Sequence, residues 1–243
     1  MKTTHITLLL AAAALSGAPL HAGLVTWAAP TGISGASDVS TTGTLIGAVN
    51  FNGPATTVNG VNFQALATTG PSNTVGNFDL SAPFFYPSQN TSDSAAPFAS
   101  LSAGYQFLLG SAAATGGTMT LTMSGLNIGQ SYEFEAWVND SRNQTPPGFT
   151  FKVDGTAGNT VTLDPNPSLA AGGLGQFVIG TFVADASSQQ VEFSNSEAAV
   201  VNGFQLRQVT SPIIPEPGTA LFGMALLGAA GLTRRRSASR VNF

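Results

Sequence analysis

The sequence predicts an all-β fold, a single antiparallel β-sandwich or jelly roll over residues 23–210, flanked by an N-terminal signal helix and a short C-terminal transmembrane helix. Three observations carry that prediction. Helical periodicity is scarce between Gly23 and Thr210, whereas short apolar–polar alternations bounded by Gly, Asn, Asp and Pro recur throughout. Setting both ends aside leaves about 190 residues, enough for one β domain with its own core. No fixed repeat of solenoid or propeller length is present, and the chain has no cysteine, so packed sheets rather than disulfides must supply the stability.

Residues 1–22 have the order of a secretory signal peptide. Lys2 precedes an apolar run over residues 6–15 and then Ser16-Gly17-Ala18-Pro19. Leu20-His21-Ala22 offers a small residue ahead of a cut after Ala22. The run is too short to span a bilayer, which favours cleavage over an uncleaved anchor.

Candidate strands follow at residues 24–27, 61–66, 118–123, 132–139, 149–153, 160–163, 177–184, 190–194 and 201–208. Asn59-Gly60 between two β-prone triplets predicts a hairpin, because both residues tolerate positive φ. Residues 124–130 connect two strong strands, and Asp154-Gly155 begins another turn. Residues 105–109 fit either a strand or a short helix, since so short a run does not fix a period. Residues 81–97, rich in Pro, Ser and Asn, predict a long surface loop of the kind that carries function or tolerates insertion.

The C-terminal end has three parts. Residues 211–217 form a linker holding Pro215-Glu216-Pro217; residues 218–233 are uncharged and rich in Ala, Leu and Gly; residues 234–243 form a basic tail with Arg234, Arg235, Arg236 and Arg240. Guanidinium groups resist translocation, so the arginines are expected on the cytoplasmic side with the main domain outside. At 1.5 Å per residue the apolar stretch reaches about 24 Å, short of a hydrocarbon core of roughly 30 Å. Pro215 and Pro217 prevent it from being extended backwards.

Pro215-Glu216-Pro217, the short apolar span and the arginine cluster, in this order at the C-terminus of a chain with a signal peptide, resemble the PEP-CTERM sorting signal of bacteria. The resemblance covers residues 215 to about 240. It implies recognition of the tripeptide by a membrane-embedded transpeptidase-like enzyme, exosortase, and removal of the tail. It further implies secretion through the inner membrane, transient anchoring there, and a final location at the cell surface or in the extracellular matrix. An ordinary tail anchor that stays in the membrane is the alternative.

Charge narrows the function classes. Residues 23–214 hold three cationic side chains, Arg142, Lys152 and Arg207, against eleven carboxylates, a net of −8 that the tail arginines mask in the whole-chain value of −4. Such a domain repels phosphate backbones, so no nucleic acid partner is expected. The only histidines, His5 and His21, lie in the segment expected to be removed. A mature chain without His and Cys lacks Ser-His-Asp and Cys-His machinery and any zinc site built on them. What remains is carboxylate chemistry and oxygen-ligated metals, and the expectation is a non-catalytic domain with no cofactor beyond a candidate structural calcium.

Alternation over residues 132–139 puts Tyr132, Phe134, Ala136 and Val138 on a core face and Glu133, Glu135, Trp137 and Asn139 on the other. The ordinary reading of that second face is a solvated sheet surface. One alternative is a sugar-binding face, with Trp137 stacking and the carboxylates bonding hydroxyls. Another is catalysis by Glu133 and Glu135, about 7 Å apart, near the spacing of inverting glycosidases. Asp140 and Arg142, at the strand's end, are candidates for pairing, turn capping or ligand contact. Asp154, Asp164, Asn166 and Asp185 are the oxygen donors that a calcium ion would need, without EF-hand spacing. Gly172-Gly173-Leu174-Gly175 lacks a Walker lysine and reads as a loop before a strand.

Residues 129–142 and 172–182 resemble a recurrent ectodomain type of PEP-CTERM proteins, similar to galactose-binding and carbohydrate-module sandwiches. That implies exopolysaccharide or another envelope component as ligand. A carboxylate-dependent glycan hydrolase or lyase, and a ligand-free structural surface protein, are the alternatives.

Overall fold

The computed structural model describes residues 24–142, 150–155, 159–195 and 198–210. The expected signal peptide, Pro215-Glu216-Pro217, the apolar span 218–233 and the arginine cluster lie outside the described residues. The chain divides between Thr210 and Ser211. Among the described residues no helix is long and apolar enough to cross a membrane.

The described chain is all-β and sandwich-like, with one helix. Its strands are β1 (Thr26–Trp27), β2 (Thr31–Gly32), β3 (Thr44–Phe51), β4 (Thr56–Val58), β5 (Val61–Leu66), β6 (Ser72–Val75), β7 (Phe78–Ser81), β8 (Gln89–Asn90), β9 (Ser111–Thr115), β10 (Thr118–Ser124), β11 (Ser131–Val138), β12 (Phe151–Gly155), β13 (Asn159–Leu163), β14 (Gln176–Val183), β15 (Ser188–Ser194), β16 (Ala199–Val201) and β17 (Gly203–Val209). The helix α1 spans Ala103–Leu109. A large sheet runs β1-β14-β11-β17-β3-β5-β4, with β2 also on β14; a second runs β13-β12-β15-β10-β7-β6; a small third runs β16-β9-β8.

The two larger sheets enclose the main core. Phe134, Leu206, Phe204 and Val49 from the large sheet meet Leu121, Met119, Phe193 and Val153 from the second. In the second sheet the alternation is clean: β10 buries Met119, Leu121 and Met123 and turns Thr118, Thr120 and Thr122 outward. On the same outward face Thr120 lies opposite Glu192 and Thr122 opposite Asp79, so hydroxyls and carboxylates hydrate it together. Each fully buried aliphatic or aromatic side chain contributes roughly 1.5–3 kcal/mol of transfer free energy.

The large sheet differs from a half-buried sandwich sheet. Its other face is covered by a second apolar cluster in which Trp137, Phe177, Ala48 and Phe63 pack against Ile33, Val39, Tyr105, Leu108 and Leu109. The cover comes from the segment before β3 and from α1. A sheet buried on both faces loses its period-2 signature, and β3, with Ala48 through Phe51 all buried, has none to read. Gly47 adds to the difficulty: a Cβ there would come within 2.4 Å of the Phe78 ring.

The Asn59-Gly60 turn joins β4 to β5 as its sequence predicts, with φ of 47° and 76° and Val58 opposite Val61. The pairing is not wholly antiparallel, however. The chain leaves β3, reverses into β4 one position away, and returns as β5 into the space between, so β3 and β5 pair in parallel. For residues 105–109 the structure resolves the choice in favour of helix, since Tyr105, Leu108 and Leu109 share one buried face at i, i+3 and i+4. Phe107 on the opposite side is exposed.

Candidate functional site

The residues expected on a solvated or sugar-binding face are largely interior. Glu135, Trp137 and Asn139 are each 0% exposed. Trp137 lies edge-on to Phe63, with ring centroids 5.6 Å apart, and donates Nε1–H to Tyr105 Oη at 3.0 Å. Tyr105 in turn donates to Asp38 Oδ2 at 3.2 Å, and burial raises its pKa. An indole held in this way does not stack on a ligand. The expectation failed because α1 and the 33–43 segment cover a face that strand alternation alone presents to water.

Glu135 is bound in the same layer. Its Oε2 accepts from Gln205 Nε2 at 2.5 Å and from Ser40 N at 3.1 Å, while Oε1 is buried without a partner. Burial pushes its carboxyl up to about 8; the charges of Glu133 and Asp38 act in the same direction, and the Gln205 and Ser40 bonds oppose it. Glu133 is only half-buried. Beside them, buried Arg207 donates to the carbonyls of Thr41, Thr42 and Gly43 and to Gln205 Oε1. These groups fix the 40–43 strap to the sheet, and Glu133 with Glu135 does not flank a cleft as a glycosidase pair must.

At the strand's end, Asp140 and Arg142 form a two-point ion pair, Nε to Oδ1 at 2.8 Å and Nη2 to Oδ2 at 2.7 Å, and Asp140 Oδ1 also accepts Arg142 N. Asn139 belongs to a buried amide hub: its Oδ1 accepts from Gly175 N, and its backbone N–H donates to Asn202 Oδ1. Asn202 Nδ2 then bonds Thr91 Oγ1 and the carbonyls of Leu109 and Ser111. The Gly172-to-Gly175 run serves close approach, since a Cβ at Gly175 would sit 2.1 Å from the Val138 carbonyl oxygen.

The four calcium candidates are not brought together. Asp164 lies just before the residues that meet the start of β14, its N–H bonded to Gln176 Oε1, and Asp185 follows that strand's end. Eight strand residues separate the two by roughly 26 Å. Asp154 is on the second sheet opposite Thr160 and Glu192. Asn166 is committed locally, accepting from Ser168 Oγ and donating to the Ala170 carbonyl. Among the described residues no group of three or more His, Cys, Asp or Glu side chains is placed to hold a metal.

A site that strand reasoning missed lies where β3 ends. Asn52 and Gly53 form a ridge shared by two open hollows. The larger, about 540 Å³, is lined by Ala65, Thr68, Thr69, Phe85, Tyr86 and Ser88 among others. The smaller, about 320 Å³, is lined by Ser92, Asp93, Gln106, Phe107 and Ser111 among others. Asn52, at φ 59°, is locked in place: Nδ2 donates to Thr68 Oγ1 and the Ala112 carbonyl, and Oδ1 accepts from Thr68 N. The wall formed by the 81–97 loop is tied to β9 by Tyr86 N to the Ala114 carbonyl and to the end of α1 by Thr91 N to the Gly110 carbonyl. Tyr86 is 38% and Phe107 52% exposed, one at each hollow. The only sequence signal for this site was the long polar loop; Asn52 and Gly53 are distant from it in the chain.

No protein-family model and no curated protein matches the chain. Among solved structures, the chain is similar to the ANX1 ectodomain from Arabidopsis thaliana, at 12% sequence identity and a TM-score of 0.41. The match covers 67% of this chain and 41% of that one, so the chain spans less than half of that ectodomain's length.

Proposed function

We propose that this chain is an exported bacterial cell-surface or matrix protein, sorted through the Pro215-Glu216-Pro217 tail, whose sandwich-like domain binds an exopolysaccharide without turning it over. In this reading residues 1–22 direct export, residues 218–233 hold the protein transiently in the inner membrane, and an exosortase-type enzyme removes the tail. The observation that carries the binding assignment is the pair of adjoining hollows, each with an exposed aromatic ring, that share the polar ridge at Asn52. Aromatic faces with one polar end suit the apolar faces and hydroxyl rims of sugars. Among the described residues the only carboxylate lining either hollow is Asp93, whereas two-carboxylate glycoside hydrolysis needs a pair across the scissile bond.

Two measurements test this. Isothermal titration of the purified protein against a polysaccharide panel should show binding that weakens about tenfold in Tyr86→Ala and in Phe107→Ala, an aromatic contact being worth roughly 1–1.5 kcal/mol. Binding to nothing on the panel would leave a ligand-free surface protein, and turnover would make it an enzyme. Mass spectrometry of the mature protein from its native host should find a C-terminus near Pro217. A mature chain still carrying Arg234, Arg235 and Arg236 contradicts removal of the tail.

A further inference from the structure

We propose that the smaller hollow, beside Asp93, receives a protonated amino group, so that the glycan held in the cleft is rich in hexosamine with free amines. The inference rests on the glycan-binding reading and goes further by naming the sugar's chemistry. Neither hollow is lined by a Lys or Arg. Nor can the domain's other described cations easily serve an anionic glycan: Arg142 is paired with Asp140, Arg207 is buried against backbone carbonyls, and Lys152 lies on the second sheet. Uronate, sulfate or phosphate groups would therefore enter a net-negative domain without a counter-charge at the site.

The hydrogen-bond inventory points the same way. Gln106 uses its Nε2 on the Ala99 and Leu101 carbonyls, which leaves Oε1 for a ligand. Ser92 donates its hydroxyl to Asn90 Oδ1 and retains acceptor capacity. Asn52 Nδ2 is committed to Thr68 and Ala112. Asp93 accepts from Ala95 N through Oδ1 at 2.8 Å, and its Oδ2 carries no protein hydrogen bond. Asn52 Oδ1 is likewise taken, by Thr68 N, so Asp93 Oδ2, Gln106 Oε1 and Ser92 Oγ are left to a ligand as acceptors, beside the unpartnered Ser111 hydroxyl, which can serve in either role. An ammonium group has three donors and no acceptor, so it is the complementary partner, and the exposed Phe107 ring adds a face that attracts cations.

The test titrates the full chain with three oligosaccharides of equal length at about pH 6: a glucosamine oligomer, its N-acetylated counterpart and a plain glucose oligomer. The glucosamine oligomer should bind about tenfold tighter than the N-acetylated one, as a charge-assisted hydrogen bond would give. High salt should erode that advantage. Asp93→Asn keeps the Oδ1 acceptor for Ala95 and replaces the charged Oδ2 with a neutral amide donor, so it should abolish the preference for the amine form. Equal binding of amine and N-acetyl forms, or a preference that survives Asp93→Asn, overturns the inference and leaves the glycan-binding reading intact. Binding of none of the three, with no binding in the wider polysaccharide panel, overturns both.

Discussion

Glu135→Gln should flatten the pH dependence of stability and leave the variant more stable than the parent at pH 8. In the folded protein burial holds the Glu135 carboxyl up to about 8, against an ordinary value of 4.5. Below 4.5 both folded and unfolded chains carry the proton, and this group's contribution is fully present. As pH rises from 4.5 the unfolded chain releases its proton and the folded chain keeps it. Stability therefore falls by about 1.4 kcal/mol per pH unit until the folded group also ionises near 8. The loss across that window is on the order of 5 kcal/mol, a large share of a typical 5–15 kcal/mol total. Glutamine keeps an acceptor for Gln205 and Ser40 and does not titrate. Urea midpoints at three pH values for both proteins decide the matter: parallel profiles would show that the carboxyl ionises in place without penalty.

Trp137→Ala should cost about 3–5 kcal/mol, the usual range for removing a large buried aromatic. The indole fills the layer between the large sheet and α1, and its loss leaves a cavity against Phe63 and Tyr105. Trp137→Phe, which retains a ring but not the N–H, should cost less and leave glycan affinity unchanged, because the residue lies outside the cleft. Chemical denaturation and titration of the same two variants separate the roles. A Trp137→Phe protein of parental stability with lost glycan affinity would restore Trp137 to a ligand-contacting role.

These two residues also show where strand alternation is informative and where it misleads. Alternation correctly separated Phe134 and Ala136 from Glu135 and Trp137 across β11, since that depends only on backbone geometry. It did not show that both faces are buried, because what covers the second face is supplied by residues 33–43 and by α1, distant in the chain. The same gap hid β3, whose neighbours come from both sides of the sheet, and the two hollows, whose shared ridge at Asn52 and wall at Tyr86 meet only after folding. The Asn59-Gly60 hairpin was legible because its signal is local: two residues at positive φ between β-prone triplets.

By itself the sequence determined the all-β class, most strand positions in the second sheet, the strongly acidic balance of the domain and the absence of any cysteine. Each of these depends on composition or on neighbours a few residues apart. Only the tertiary structure decided that Glu135 and Trp137 are interior, that the calcium candidates lie apart, and that Tyr86 on one side and Asp93 and Phe107 on the other border two hollows that share Asn52. Burial and ligand geometry depend on which distant segments come into contact, and no local period encodes that.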